Sequence, residues 1–346
     1  MAVFNHTEFD QHEQVVFCSD KATGLKAIIA VHSTALGPAV GGCRLWDYAN
    51  DDDAIQDVLR LSKGMTYKNA LAGLPLGGGK SVIIGDAKQI KSEALFRAFG
   101  RFIHRLGGSY YSAEDVNITT GDIMMANKET PYVAGLEGKS GNPAPFTALG
   151  TYQGIRAAAK HQFGVDSLKG IKVAIQGLGS VGYYLCEHLH KEGAKLFVTD
   201  INQESIQRAV EQFGATPVGL DEIYAQDVDV YAPCALGATI NDDTIPQLNA
   251  KVVAGCANNQ LKKSRHGDML RERGILYAPD YVINAGGIIN VSMEMRPEGY
   301  NADDSTAKVN EIYHTLLNIF QRADEEQKST HLVADIMAQE IIAKGK

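Results

Sequence analysis

Three charged side chains and one glycine turn are the features of this 346-residue sequence whose types and spacing suit chemistry. Lys68 continues an apolar stripe, because Leu61, Met65 and Lys68 stand four and three residues apart. If a helix runs through Gly64, this ammonium faces inward and needs an anionic partner, which a substrate carboxylate would supply. A lysine snorkelling at a helix end fits the spacing equally well. Lys80 closes the run Leu76-Gly77-Gly78-Gly79-Lys80. The Walker phosphate loop would need a glycine where Leu74 stands, so nucleoside triphosphate binding is excluded here. The glycines instead allow bare backbone to approach a ligand. A lysine beside a second cation in a dry site is suited to general-base work, although most lysines in such loops are simply exposed. Asp115 falls at the end of a short strand, Tyr110–Ala113, where a carboxylate can move protons or hold a lysine. A helix cap or a surface ion pair is its plainer reading.

The glycine turn is Gly177-Leu178-Gly179-Ser180-Val181-Gly182. A GxGxxG alone is weak, but here an apolar strand, Lys172–Gln176, precedes it and a helix, Ser180–Lys191, opens within it. A second strand, Leu196–Thr199, then delivers Asp200, 18 residues past Gly182. In such a unit Gly177 permits the tight turn and Gly179 lets a pyrophosphate reach the backbone. Gly182 lets the helix pack on the sheet, and Ser180 and Val181 open the helix whose N–H groups meet the anion. Asp200 is placed to accept from a ribose 2′-hydroxyl, and Ile201-Asn202-Gln203 offers no arginine for a 2′-phosphate. NAD is therefore the expected cofactor.

The elements that must position these groups fall into two parts. Before residue 138 the pattern is α/β: strands over Gln14–Cys18 and Lys26–His32, and a helix capped at Asp51–Asp53 with Ile55, Val58 and Leu59 aligned. A second helix carries Leu95, Phe99 and Ile103 and stops at Gly107-Gly108. Gly138–Pro145 is turn chemistry and a hinge. Beyond it Asp229–Tyr231, Val252–Ala254 and Tyr281–Ile283 read as further strands, and Ala307–Ala323 and His331–Lys344 as helices. The expected fold is an N-terminal α/β substrate domain (1–138, also the oligomerisation domain) followed by a Rossmann-type, doubly wound NAD domain (139–325). A C-terminal helix (326–346) would pack back on the first, with the active site in the interdomain cleft.

Composition narrows the partners. Net charge is −8, so no nucleic-acid-binding face is implied. The five cysteines are scattered without a CxxC, which suits a reduced, cytoplasmic protein without structural zinc. No apolar run nears the ~20 residues that span a bilayer. The 10 histidines show no metal spacing. His188 and His190 fall on the helix after the glycine turn, and His161, His266 and His331 read as solvated.

Further segments carry a resemblance. They are Gly37-Pro38-Ala39-Val40-Gly41-Gly42, Met65-Thr66-Tyr67-Lys68, Leu74–Lys80, Ala113-Glu114-Asp115-Val116, Pro143-Ala144-Pro145-Phe146-Thr147, Ala257-Asn258-Asn259-Gln260 and Asn284-Ala285-Gly286-Gly287. Together with the GxGxxG they resemble the Glu/Leu/Phe/Val amino-acid dehydrogenases over nearly the whole chain, and most of all the leucine dehydrogenase branch. The resemblance implies that Lys68 binds the substrate carboxylate, with Gly41 a backbone wall of that subsite. It implies that Lys80 activates water and that Asp115 assists proton transfer at the α-amino group. Thr147, Asn258 and Asn284 would lie around the nicotinamide or the bound amino acid.

Two departures bear on the substrate. Asn117-Ile118-Thr119 stands where the leucine branch has Gly-Thr-Thr, which resembles the tryptophan dehydrogenases. Ser292-Met293-Glu294-Met295 replaces the usual Ala-Asp-Glu-Leu. Val40, Ala113 and Val291 are apolar, and no basic residue is evident for a second substrate carboxylate. The implied reaction is reversible, NAD-dependent oxidative deamination of leucine, valine or isoleucine to the 2-oxo acid and ammonia, by a homo-oligomer. A phenylalanine or tryptophan dehydrogenase is the neighbouring reading, and a catalytically silent dinucleotide binder the reading of a different class.

Overall fold

The computed structural model describes residues 3–136 and 138–345. Met1, Ala2, Glu137 and Lys346, which the expected domain ranges include, lie outside the described residues. The chain forms two compact units. The first comprises the chain up to Gly141, Val291–Tyr300 and the chain from Ala338 onward; the second is Asn142–Asn290 with Asn301–Met337. These units cut the sequence differently from the expected boundaries. A ten-residue stretch from the second half joins the first unit, and residues 326–337 stay with the second.

In the first unit the chain runs β1 (Gln14–Asp20), β2 (Leu25–Ser33), β3 (Ala39–Trp46), α1 (Asp51–Leu71), β4 (Gly77–Ile84), α2 (Ala87–Ile90), α3 (Glu93–Arg105), β5 (Tyr110–Ala113) and α4 (Thr120–Asn127). Among the described residues its sheet has the order β1-β2-β4-β3-β5. The β1–β2 and β2–β4 pairs are antiparallel, while β3 runs parallel to both β4 and β5. Side chains alternate across it. Ile29, Leu45 and Ile83 pack under α3 with Leu95, Phe96 and Phe99, whereas Ile28, Ala30 and Val82 pack under α1 with Ala54, Val58 and Leu59. Burying each large aliphatic side chain contributes about 1.5–3 kcal/mol.

Helix α1 continues through Gly64, as Lys68 requires. Its cap is Asn50 rather than an aspartate: the Asn50 side chain accepts from the Asp53 N–H at 3.0 Å. Asp51, Asp52 and Asp53 form the first turn, where carboxylates favour the helix dipole.

The second unit holds α5 (Ala144–Phe163), β6 (Lys172–Gln176), α6 (Ser180–Glu192), β7 (Lys195–Thr199), α7 (Gln203–Phe213), β8 (Thr216–Pro217), β9 (Val230–Pro233), β10 (Val252–Val253), α8 (Arg265–Glu272), β11 (Leu276–Tyr277) and α9 (Asp280–Ile283). It continues with most of α10 (Gly286–Ser292), then α11 (Ala302–Asn310), α12 (Ile312–Glu325) and the first half of α13 (Thr330–Lys344). Its sheet is parallel, ordered β11-β10-β9-β6-β7-β8. Strand order reverses between β6 and β9, which makes their C-terminal ends the switch point of a doubly wound fold.

Two expectations fail here. Tyr281–Ile283 is helical, since Pro279 and Asp280 start a helix directly after β11. His266 and His331 are buried rather than solvated. His266 Nδ1 accepts from the Lys263 N–H at 2.9 Å, and His331 Nε2 meets Ser264 Oγ at 2.9 Å.

Candidate active site

Lys80 sits in the middle of β4, on the same face as Val82 and hence beneath α1. It is buried, and its ammonium lies 2.8 Å from Asp115 Oδ2. Asp115 follows β5 in a turn held by β3: the Leu45 N–H donates to Val116 O at 3.0 Å, and the Asn117 side-chain amide donates to Leu45 O at 3.0 Å. Asn117 has φ +60°, a conformation open to glycine and asparagine. The departure from the leucine branch's glycine therefore leaves this turn intact.

The same Asp115 oxygen accepts from Arg44 Nε at 3.2 Å. Burial pushes the Asp115 carboxyl up, but Lys80 and Arg44 outweigh that and hold it below its ordinary value. Arg44 Nη1 donates to Asp57 Oδ2 at 2.9 Å, and Tyr48 Oη donates to the same oxygen at 2.7 Å. Asp115 thus holds Lys80, as a carboxylate at that strand end can, and a cation, Arg44, lies on the same carboxylate oxygen.

The three glycines before Lys80 also differ from expectation. A Cβ on Gly77 would stand 2.0 Å from Ser33 O, one on Gly78 2.0 Å from Thr66 N, and one on Gly79 2.7 Å from the Tyr110 ring. They admit a neighbouring strand, helix α1 and an aromatic ring, not a ligand. Their contribution to the site is indirect. Gly78 lets α1 lie against β4 at Thr66, two residues before Lys68 on the helix and two before Lys80 on the strand.

The other expected substrate-site residues of this unit lie on neighbouring strands. Val40 and Gly41 are buried in β3, and a Cβ on Gly41 would come within 1.7 Å of Gly79 O. Ala113 ends β5 opposite Gly42 and is half-buried, as is Lys68 in the last turn of α1. Val291 is buried in the stretch that joins this unit from the second half of the chain. That stretch also carries Glu294, which accepts from the Ser140 N–H at 2.9 Å and the Gly135 N–H at 3.2 Å.

In the second unit the glycine turn leads from β6 into α6 at the switch point. Gly177 has φ +105°, and a Cβ there would strike Ala235. A Cβ on Gly182 would stand 2.0 Å from Gly177 O, so α6 can start this close to the strand only with glycine. Around Gly179, by contrast, a Cβ would meet nothing within 4 Å. Gly179 and Ser180 are exposed, Val181 is half-buried, and no side chain caps the first turn of α6. Asp200 follows β7, accepting from the Leu178 N–H at 2.6 Å and the Asn202 N–H at 2.8 Å.

Beyond the turn, Asn284 Nδ2 donates to Asn258 Oδ1 at 2.7 Å and to Cys256 O at 3.1 Å. Asn284 Oδ1 is buried without a hydrogen-bond partner among the described residues. Thr147 Oγ1 donates to Pro143 O at 3.1 Å, and a Cβ on Gly287 would come within 2.8 Å of Thr147 Oγ1. An open uncapped helix start, a carboxylate at the next strand end and an orphaned buried amide oxygen fit a bound dinucleotide.

Among the described residues, no group of three or more His, Cys, Asp or Glu side chains is placed to hold a metal, and no helix is long and apolar enough to cross a membrane. The sequence reading missed Arg44, Tyr48, Asp57 and Glu294. Arg44 stands two residues past Gly42, the end of a segment singled out for its resemblance, and period-two alternation from there was the signal that would have found it.

A parallel sheet with a GxGxxG turn at its switch point, joined in one chain to a sheet whose buried lysine is paired with an aspartate, defines a two-domain α/β enzyme of the dehydrogenase class. Residues 12–136 match the Glu/Leu/Phe/Val dehydrogenase dimerisation domain, and residues 140–202 and 199–345 match the Glutamate/Leucine/Phenylalanine/Valine dehydrogenase domain. The chain is similar to a leucine dehydrogenase of Bacillus cereus, 56% identical over 100% of this chain and 95% of that one. It is also similar to a valine dehydrogenase of Streptomyces virginiae, 48% identical over 99% and 96%. The crystal structure of L-tryptophan dehydrogenase from Nostoc punctiforme superposes with a TM-score of 0.86 at 48% identity, covering 97% of each chain. The chain belongs to the Glu/Leu/Phe/Val dehydrogenase family and is an amino-acid dehydrogenase.

Proposed function

We propose that this enzyme catalyses NAD-dependent oxidative deamination of apolar L-amino acids, with leucine, valine and isoleucine as its substrates. The observation that carries this reading is the 2.8 Å contact between Lys80 and Asp115 under the helix that bears Lys68. Likeness to leucine dehydrogenase along the full chain supports the substrate class.

In this reading Gly177, Gly179, Ser180, Val181 and Gly182 hold the cofactor pyrophosphate, Asp200 holds a ribose, and Thr147, Asn258 and Asn284 border the nicotinamide. NAD+, when bound, accepts a hydride from the substrate Cα. Lys68 holds the α-carboxylate against the Gly41 backbone. Asp115 takes a proton from the α-ammonium, which readies the amine for oxidation. Lys80 then takes a proton from the water that attacks the iminium carbon. Asp115 returns its proton to the nitrogen, Lys80 passes the proton it took from water to solvent and takes the carbinolamine hydroxyl proton, and collapse breaks the C–N bond. The products are the 2-oxo acid and ammonia. Val40, Ala113 and Val291 form the apolar side-chain wall; apolar walls discriminate weakly by size, so specificity is relaxed. The protein acts in the cytoplasm as a homo-oligomer.

The test is NADH formation by absorbance with a panel of Leu, Val, Ile, Phe, Trp, Glu and Ala, with Lys80→Ala as control. Turnover on the branched-chain members, lost in the control, is expected. Turnover confined to Phe or Trp overturns the substrate assignment. A panel with no turnover overturns the reaction.

A further inference from the structure

Asp115 does not face Lys80 alone. Its Oδ2 receives two donors, Lys80 Nζ at 2.8 Å from β4 and Arg44 Nε at 3.2 Å from β3. The guanidinium is anchored in turn. Its Nη1 reaches Asp57 on α1 at 2.9 Å, and Asp57 also accepts from Tyr48 at 2.7 Å. Arg60, on the next turn of α1, lies 3.7 Å from Asp57. Cys43 on β3 and Tyr110 on β5 also interact with Asp115. Burial is the first cause that pushes both up, so both face it uncharged. Tyr48 is likewise pushed up by burial and by Asp57, and stays a donor.

We propose that Arg44 is a positioning residue for the deamination reaction: clamped by Asp57 and Tyr48, it fixes Asp115 by one oxygen and keeps a permanent cation beside that carboxyl group while Asp115 and Lys80 exchange protons. The argument is electrostatic. A half-buried carboxylate paired only with Lys80 becomes an unpaired, partly desolvated anion each time the lysine gives up its proton. Arginine stays charged throughout, so Asp115 keeps a cation at every step. With both donors on Oδ2, Oδ1 is the atom turned to the substrate nitrogen. The inference rests on the amino-acid dehydrogenase reading above and adds a residue to it.

The experiment compares pH profiles of kcat/KM for leucine oxidation by wild type, Arg44→Gln, Arg44→Lys and Asp57→Asn. Removing the Arg44 charge raises the proton affinity of the Lys80–Asp115 pair as a unit. The acid limb of Arg44→Gln is therefore expected to move up by about one pH unit, with about tenfold lower kcat/KM on that limb. Arg44→Lys keeps the charge but not the fork, so its limb returns toward wild type while kcat stays low. Asp57→Asn removes an anion, so its limb moves down or stays, with kcat reduced by the loosened clamp. This variant also serves if Arg44→Gln does not fold. An unmoved limb in Arg44→Gln, or an upward move in Asp57→Asn, overturns the proposal, since loss of packing alone lowers the rate without that pattern of signs. Wild-type protein that turns over none of the amino-acid panel overturns the reaction reading itself, and Arg44's role with it.

Discussion

The sharpest consequence of the geometry concerns Gly78, a residue that touches no substrate. Replacing it with alanine builds a Cβ 2.0 Å from Thr66 N and 2.2 Å from Thr66 Oγ1. Real Cβ atoms do not approach heavy atoms closer than 3.0 Å, so strand and helix must separate by about 1 Å. The neighbour cannot yield by turning a flexible side chain, because the nearest atom is helix backbone, and Thr66 Oγ1 is also tied to His32 Nδ1 at 2.8 Å. Overpacking of this kind costs about 1–3 kcal/mol. The functional cost is larger, because the displaced turn of α1 carries Lys68. A misplacement of ~1 Å at a substrate-positioning group lowers the rate about 10²-fold. Gly78→Ala is therefore expected to melt several degrees lower and to lose about 10²-fold in kcat/KM for leucine, mostly through KM. Differential scanning fluorimetry and initial rates of NADH formation measure both. A variant that melts within 2 °C of wild type and keeps kcat/KM within about threefold refutes the claim that α1 seats on β4 through Gly78.

Three further outcomes follow from single residues. Lys68→Ala should raise KM for the amino acid about 100-fold, the scale of losing one member of a desolvated charge pair, while NADH binding followed by fluorescence is unchanged. Asp200→Ala should raise KM for NAD+ about 10- to 100-fold, since hydrogen bonds to charged groups contribute about 1.5–3 kcal/mol; an unchanged KM removes the ribose role. Burial, reinforced by His12, lowers His32 from an ordinary 6.5 to about 4, so the unfolded chain binds the extra proton first. Its stabilisation, of order 3 kcal/mol, is complete above pH 6.5 and lost as pH falls toward 4. His32→Asn should flatten the pH dependence of the melting temperature across that window.

What the sequence disclosed depended on the range over which its signals act. Local periodicity marked β5 at Tyr110–Ala113 and β6 at Lys172–Gln176 with the observed bounds. The GxGxxG turn was legible because its steric demands are local: Gly182 packs on Gly177, five residues away. The glycines before Lys80 were misread because their demands are long-range. Their missing Cβ atoms make room for Ser33, Thr66 and Tyr110, partners that only the folded sheet brings together. The same limit hid the burial of His331, whose partner, Ser264, is remote from it in sequence. Tyr281–Ile283 was read as a strand from its β-branched and aromatic content, whereas Pro279 and Asp280 supply a helix start that outweighs that propensity.

The charged centre shows why motif reading reached Lys80 and Asp115 but not the groups that make the pair workable. Arg44, Asp57, Lys80 and Asp115 come from β3, α1, β4 and the turn after β5. Folded, they alternate in sign: ammonium, carboxylate, guanidinium, carboxylate, each in contact with the next at 2.8, 3.2 and 2.9 Å. Such a chain is neutral in total, and its inner members each see two opposite charges, which offsets the desolvation that a lone buried pair would suffer. No single position in the sequence carries that property. It follows from the parallel register of β3 with β4 and β5, which sets Cys43 opposite Ser81 and Gly42 opposite Ala113, so that Arg44, one residue past Cys43, and Lys80, one residue before Ser81, both reach Asp115, two residues past Ala113. The contact of Lys80, Asp115 and Arg44 is thus set by a strand register, and a change that slips β3 by one residue would move Arg44 to the opposite face of the sheet.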